Sequence, residues 1–231
     1  KSRIRFAALK GAFRRGRLIN IHMMTPMDIP GYINHVHVED LTDLIRKQPD
    51  GIRILEIGCA YGRSTWTTMS AMGPNSTLTV VDTFGHLKPS KLLKGITKSI
   101  GRGETKNTEK LAENMRVLRE SNDQRTLFNH VLEQHPARDR VTVHQMYSQD
   151  YRKQFYNDTF DVVYLDGEHT YEAVRGELKH FANTPVLCGD DWGPSKPGVT
   201  RAIDEFRAQH PNRTWYEPRL SEKSGFWSIT Q

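Results

Sequence analysis

The chain has little cysteine, two residues in 231, and the two stand far apart at Cys59 and Cys188. Such a pair builds neither a disulfide framework nor a zinc pattern. Each lies beside the end of an expected strand, where a free cysteine serves as a small core residue, and a reducing, cytoplasmic setting is expected. No apolar run approaches the roughly 18 residues needed to span a bilayer. Internal repeats and low-complexity tracts are missing. The start, KSRIRFAALKGAFRRGRL, is too basic for a secretory signal and lacks its clean apolar core. It also lacks an initiator Met, so the expectation is a piece of something longer.

What is present is an ordinary apolar content, 36%, and a net charge of +6. The charge suits an anionic partner, and it is uneven. Arg3, Arg5, Lys10, Arg14, Arg15 and Arg17 crowd the start, while Lys88, Lys91, Lys94, Lys98, Arg102 and Lys106 crowd a later segment. The bland reading of both is a solvated face.

Apolar strands alternate with amphipathic helices from residue 51 onward, the pattern of a parallel α/β sheet. Strands are expected at 52–57, 77–82, 141–146, 160–166 and 185–191. Helices are expected at 64–72, 107–135 with a break near Ser121-Asn122, 170–182 and 198–210. The end, 213–230, reads as two strands around a polar turn. The expected fold is therefore Rossmann-like and doubly wound, a mostly parallel seven-stranded sheet with a C-terminal antiparallel hairpin. Residues 85–106, polar and basic, read as a mobile loop or lid. Residues 1–50 stand outside the alternation: 38–48 reads as a helix, and the remainder as a basic cap or a linker from an upstream domain. The expected domain is 51–231.

In an open parallel sheet, ligands sit beyond the carboxyl ends of the strands. The first strand ends in Glu56 and the small-residue loop Gly58, Ala60, Gly62. The second ends in Asp82, the third in Tyr147-Ser148-Gln149, the fourth in Asp166, Glu168 and His169, the fifth in Asp190 and Asp191. A small-residue loop opening onto a helix lets backbone approach a ligand. Asp82 lies about one βαβ unit later, where an acid takes ribose hydroxyls. Together they point to a nucleoside-containing cofactor; the rival reading is a merely structural turn.

The stretch EIGCAYGRS resembles the glycine-rich first motif of class I S-adenosylmethionine (SAM) methyltransferases, not the Gly-x-Gly-x-x-Gly of dinucleotide binders. SQD, 148–150, resembles the adenine-contacting turn of catechol O-methyltransferase. LDGEHTYEAV, GDDW and PGVTRAIDEF resemble the metal-dependent O-methyltransferases that act on sugars of macrolide antibiotics, the mycinamicin and macrocin type. The resemblance covers roughly residues 52 to 206 and implies the class I methyltransferase fold. It also implies that Glu56, Gly58, Gly62 and Ser64, on the loop with Ala60, hold the methionine part of SAM. Asp82 would take the ribose, and Ser148 and Gln149 the adenine.

Asp166, Asp190 and Asp191 are hard oxygen ligands suited to Mg²⁺ or another divalent cation. Read bare, Asp190 and Asp191 could equally cap a turn before WGPSKPG, and Ser64 could be a plain first-turn residue. A hydroxyl needs its developing charge stabilised, which a metal supplies. His169, three residues after Asp166, is placed to take the proton at neutral pH. The acceptor so implied is a small molecule or glycan with vicinal hydroxyls, and a fused or partnering glycosyltransferase is the expected source of it. A catechol or phenol is the alternative. Nucleic acid is less favoured, because no RNA-binding module is visible. A fold that has lost its chemistry is the fourth reading. His35 and His37 are the further histidines to watch, since the N-terminal segment could cover the acceptor.

Overall fold

Alternation along β1 (Arg53–Ile57) sets the architecture. Ile54 joins one buried cluster, and Leu55 and Ile57 join another on the opposite face of the sheet, as the two-residue period of a strand requires. A strand apolar on both faces must be covered on both. The computed structural model describes residues 24–85, 107–216 and 225–231. The basic cluster at 3–17, residues 86–106 of the expected lid and the turn at 217–224 lie outside the described residues.

Among the described residues, four helices supply side chains to the first cluster: α1 (His35–Arg46), α2 (Arg63–Ala71), α3 (Thr108–Ser121) and α4 (Gln124–Glu133). Three supply the second: α5 (Ser148–Gln154), α6 (Tyr171–His180) and α7 (Pro197–Gln209). Between them lies a seven-stranded sheet. Its strands β2 (Thr77–Asp82), β3 (Val141–Gln145), β4 (Val162–Leu165), β5 (Val186–Trp192), β6 (Thr214–Tyr216) and β7 (Gly225–Thr230) join β1 in the order β3-β2-β1-β4-β5-β7-β6. β1 to β5 are parallel, and β7 runs antiparallel to β5 and β6. This is the doubly wound sheet with a C-terminal hairpin expected from the sequence. Its strand order reverses at β1, between β2 and β4, and the crevice at such a switch point is where ligands bind. No helix among the described residues is long and apolar enough to cross a membrane.

The local signals explain the boundaries. Asn122, at φ 49°, ends α3 in the left-handed region, which Asn tolerates, and Asp123 then caps α4 by accepting from Thr126 N at 2.7 Å. α1 starts three residues before the expected 38. Asn34 caps it, accepting from Val36 N at 2.9 Å and His37 N at 3.2 Å. α5 was not expected as a helix: among its seven polar residues only Tyr151 is buried, too few for a periodic signal.

Residues 24–50 are knitted into the first cluster through Met24, Ile29, Leu41 and Ile45. Their main tether is polar. Arg63, buried at the start of α2, donates through Nε to the Ile29 carbonyl at 2.9 Å and through Nη2 at 2.7 Å, and through Nη1 to that of Ile33. Arg63→Met would keep the apolar stem and strand two buried carbonyls. It is expected to cost about 3 kcal/mol, read as a lower urea midpoint in equilibrium unfolding.

Candidate active site

The loop after β1 is shaped by what crowds it. Gly58 has φ +85°, and a Cβ there would lie 2.1 Å from the Asp166 carbonyl oxygen. Gly62, at φ +96°, is the residue from which α2 starts, and a Cβ there would meet the Phe128 ring at 3.3 Å. Both glycines are thus demanded by the turn and by the packing around it. Ala60 is also left-handed, at φ 50°. Asp82 holds this shape. Its Oδ2 accepts from Cys59 N at 2.9 Å and Ala60 N at 3.0 Å, and its Oδ1 from Phe84 N at 2.7 Å. A carboxylate has about four lone-pair positions, so capacity remains for a further donor.

Glu56 lies beneath the loop, 1% exposed. Ser64 Oγ donates to it, and Thr65 Oγ1 does so at 2.7 Å. Glu56 and Ser64 therefore meet each other, with Thr65 as a third member that the sequence reading missed. Burial pushes the Glu56 carboxyl up to about 8, against the pull of the two hydroxyls. Ser148 Oγ donates to Glu177 Oε1 at 2.6 Å, and Gln149 is exposed at the start of α5. Glu177, buried on α6, was also missed, and burial raises it to about 7.

The second half of the site lies beyond β4 and β5. His169 Nε2 is 3.3 Å from Asp166 Oδ1 and 3.0 Å from Asp191 Oδ2. One ligand-type atom from each of Asp166, His169 and Asp191 falls within 4.8 Å of the others. Two carboxylate oxygens and an imidazole nitrogen are donors that fit a divalent cation. Asp190 does not join them. Successive strand residues point oppositely, and its Oδ1 faces His37 Nδ1 of α1 at 3.2 Å and accepts from Asp191 N at 2.6 Å. The register of β5 shifts between Gly189 and Trp192, and Asp191 sits at φ 68°, a bulge that re-aims the side chain.

Burial raises Asp166, and the neighbouring charges of Asp190 and Asp191 add to it against the pull of His169. Burial lowers His169, but the bond to Asp166 and the fields of Asp166 and Asp191 outweigh it, and the net direction is up. Tyr164 Oη donates to Asp166 Oδ2 at 3.4 Å. Lys196, on the turn before α7, stands 2.7 Å from His169 Nδ1 and 3.3 Å from Asp191 Oδ2. No motif or periodicity marked Lys196 in the sequence. His37 was noticed, but its partner Asp190 could be identified only in three dimensions.

Glu56 and Glu177 carry folded-state pKa values above the ordinary 4.5. The folded chain therefore keeps protons that the unfolded chain has released, and stability falls as pH rises from about 5 to about 8. Glu56→Gln, which stays neutral, is expected to flatten that slope by about 1 kcal/mol per pH unit. Urea unfolding across the window tests this, and an unchanged slope would refute it.

Comparison with known proteins bears on the family and the fold. The profile of a family described as a methyltransferase domain matches residues 55–186, from within β1 to the start of β5. No curated protein matches the chain by sequence. Solved structures share the fold at low identity. An O-methyltransferase from Bacillus cereus in complex with SAH is 16% identical, with a TM-score of 0.57, over 87% of this chain and 83% of that one. A Klebsiella pneumoniae protein assigned to the O-methyltransferases is 15% identical, with a TM-score of 0.61, over 97% and 94%. TomG from Streptomyces achromogenes, an O-methyltransferase involved in tomaymycin synthesis, solved with SAM, is 15% identical, with a TM-score of 0.51, over 86% and 80%. With the family profile spanning more than half of its length, the chain belongs to this methyltransferase domain family and is an enzyme of the methyltransferase class.

Proposed function

We propose that the chain is a SAM- and Mg²⁺-dependent O-methyltransferase that modifies a hydroxyl of a sugar, whether in a glycan, a nucleotide sugar or a glycosylated metabolite. The observation that carries this reading is the meeting of Asp166, His169 and Asp191 beyond β4 and β5, one strand across from the loop that Asp82 braces. On this reading a proton acceptor and hard oxygen ligands would stand beside a nucleoside-binding crevice. The neighbours from B. cereus and S. achromogenes, solved with SAH and SAM, support the choice of cofactor. SAM would supply a methyl group on a sulfonium, and the divalent cation would lower the pKa of the acceptor hydroxyl and hold two vicinal oxygens.

The chain's own residues do the rest. Asp82 would receive ribose hydroxyls on its remaining lone pairs. The Gly58, Ala60, Gly62 turn would back the methionine part, with Glu56 and Ser64 bracing it from below, and Ser148 and Gln149 would flank the adenine. Asp166 and Asp191 would hold the cation. His169 would take the hydroxyl proton at Nε2. Much of the rate would come from holding both reactants in one orientation. A base of this kind matters for a sugar hydroxyl, which is far less acidic than a phenol. The free thiols suit the cytoplasm, and a glycosyltransferase is the natural supplier of the acceptor.

Two variants test the reading. Asp191→Ala is expected to bind SAM as wild type does in calorimetry and to lose its response to Mg²⁺. His169→Ala is expected to lower kcat on a diol-bearing sugar by about 10²- to 10⁴-fold with little change in KM for SAM. A His169→Ala enzyme that keeps most of its activity would point instead to a catechol or phenol acceptor.

A further inference from the structure

Resting on the divalent-cation reading above, we propose that Lys196 is a positioning residue: it holds His169 in the cation's place until the cation arrives. The imidazole Nε2 lies between Asp166 Oδ1 and Asp191 Oδ2, at 3.3 and 3.0 Å. Those are the two oxygens that a divalent cation would take at roughly 2.0–2.1 Å. The ring and the cation therefore compete for one pair of acceptors.

What keeps the ring there is on its other edge. Lys196 Nζ is 2.7 Å from Nδ1 and 3.3 Å from Asp191 Oδ2. Two N–H groups cannot point at each other across 2.7 Å, so one nitrogen offers a lone pair. Lys196 also faces the Asp191 carboxylate as an ammonium, which has three donors and no lone pair to offer, so the lone pair is the ring's. The ammonium donates to Nδ1, and the ring hydrogen sits on Nε2, facing the carboxylates. This is the tautomer in which Nε2 cannot accept a proton. The lysine's backbone is fixed: Lys196 N donates to the Gly193 carbonyl at 3.1 Å, and Thr200 Oγ1 closes the turn with Gly193 N and O at 2.8 Å each. Its side chain is 35% exposed.

The consequence is a coupling. Once the carboxylates are taken by a cation, the Nε2–H loses both acceptors and Lys196 loses Asp191. The ring hydrogen then moves to Nδ1 by exchange with solvent, and Nε2 presents its lone pair to the acceptor. Base and metal become available in the same event, so a hydroxyl is deprotonated only at a loaded site.

Magnesium calorimetry and long-range ¹H–¹⁵N spectra of the histidine rings test this on the wild-type chain, on Lys196→Gln and on Arg201→Gln as a charge control. Lys196→Gln is expected to bind Mg²⁺ about tenfold more tightly through loss of a competing cation, with Arg201→Gln unchanged. The wild-type His169 ring is expected to show the Nε2–H tautomer without Mg²⁺ and to change as Mg²⁺ is added. Equal affinity in wild type and Lys196→Gln, or a ring signal indifferent to bound Mg²⁺, overturns the coupling and leaves the cation reading standing. Equal tightening by Arg201→Gln also overturns it, since the effect would then be one of general charge. No Mg²⁺ binding to wild type or Lys196→Gln overturns the cation reading and the coupling together.

Discussion

The end of β1 passes so close to the end of β4 that residue 58 can carry no side chain. Asp166 N donates to the Ile57 carbonyl at 2.8 Å, and a Cβ on Gly58 would collide with the Asp166 carbonyl. One contact therefore fixes two things. It forces the left-handed turn from which the loop and α2 follow, and it sets the position of Asp166 relative to that loop. The two halves of the crevice, the loop with Asp82 and the acids of β4 and β5, are held in mutual register by this approach.

The same crevice gathers carboxylates, and each is answered differently. Glu56 has two hydroxyls, Asp82 three backbone N–H groups, Asp190 an imidazole from α1, and Asp191 an imidazole and an ammonium. Buried acids without such partners cost several kcal/mol or stay protonated. The raised Glu56 and Asp166 mark where the answer is incomplete. Asp166 and Asp191 share one partner, the His169 imidazole.

The N-terminal segment belongs to this economy of charge. Arg63 ties residues 29–33 to the start of α2, and α1 then delivers His37 to Asp190. A segment that stood outside the strand–helix alternation thus reaches the sheet end where the acceptor is proposed to bind.

Sequence by itself determined the sheet, because strands buried on both faces write near-continuous apolar runs and the helices between them keep a 3.6-residue period. It also determined which residues crowd the strand ends, since those follow from strand boundaries alone. It did not reveal α5, whose polar face leaves no period. Nor did it reveal the separation of Asp190 from Asp191, adjacent residues that a bulge and the pleat send to different partners. The roles of Gly58 and Gly62 in sterics, the hydroxyls of Ser64 and Thr65 on Glu56, and the arrival of His37 and Lys196 were decided by tertiary structure. Each depends on distances between segments dozens of residues apart, and no local pattern in a chain encodes a distance of that kind.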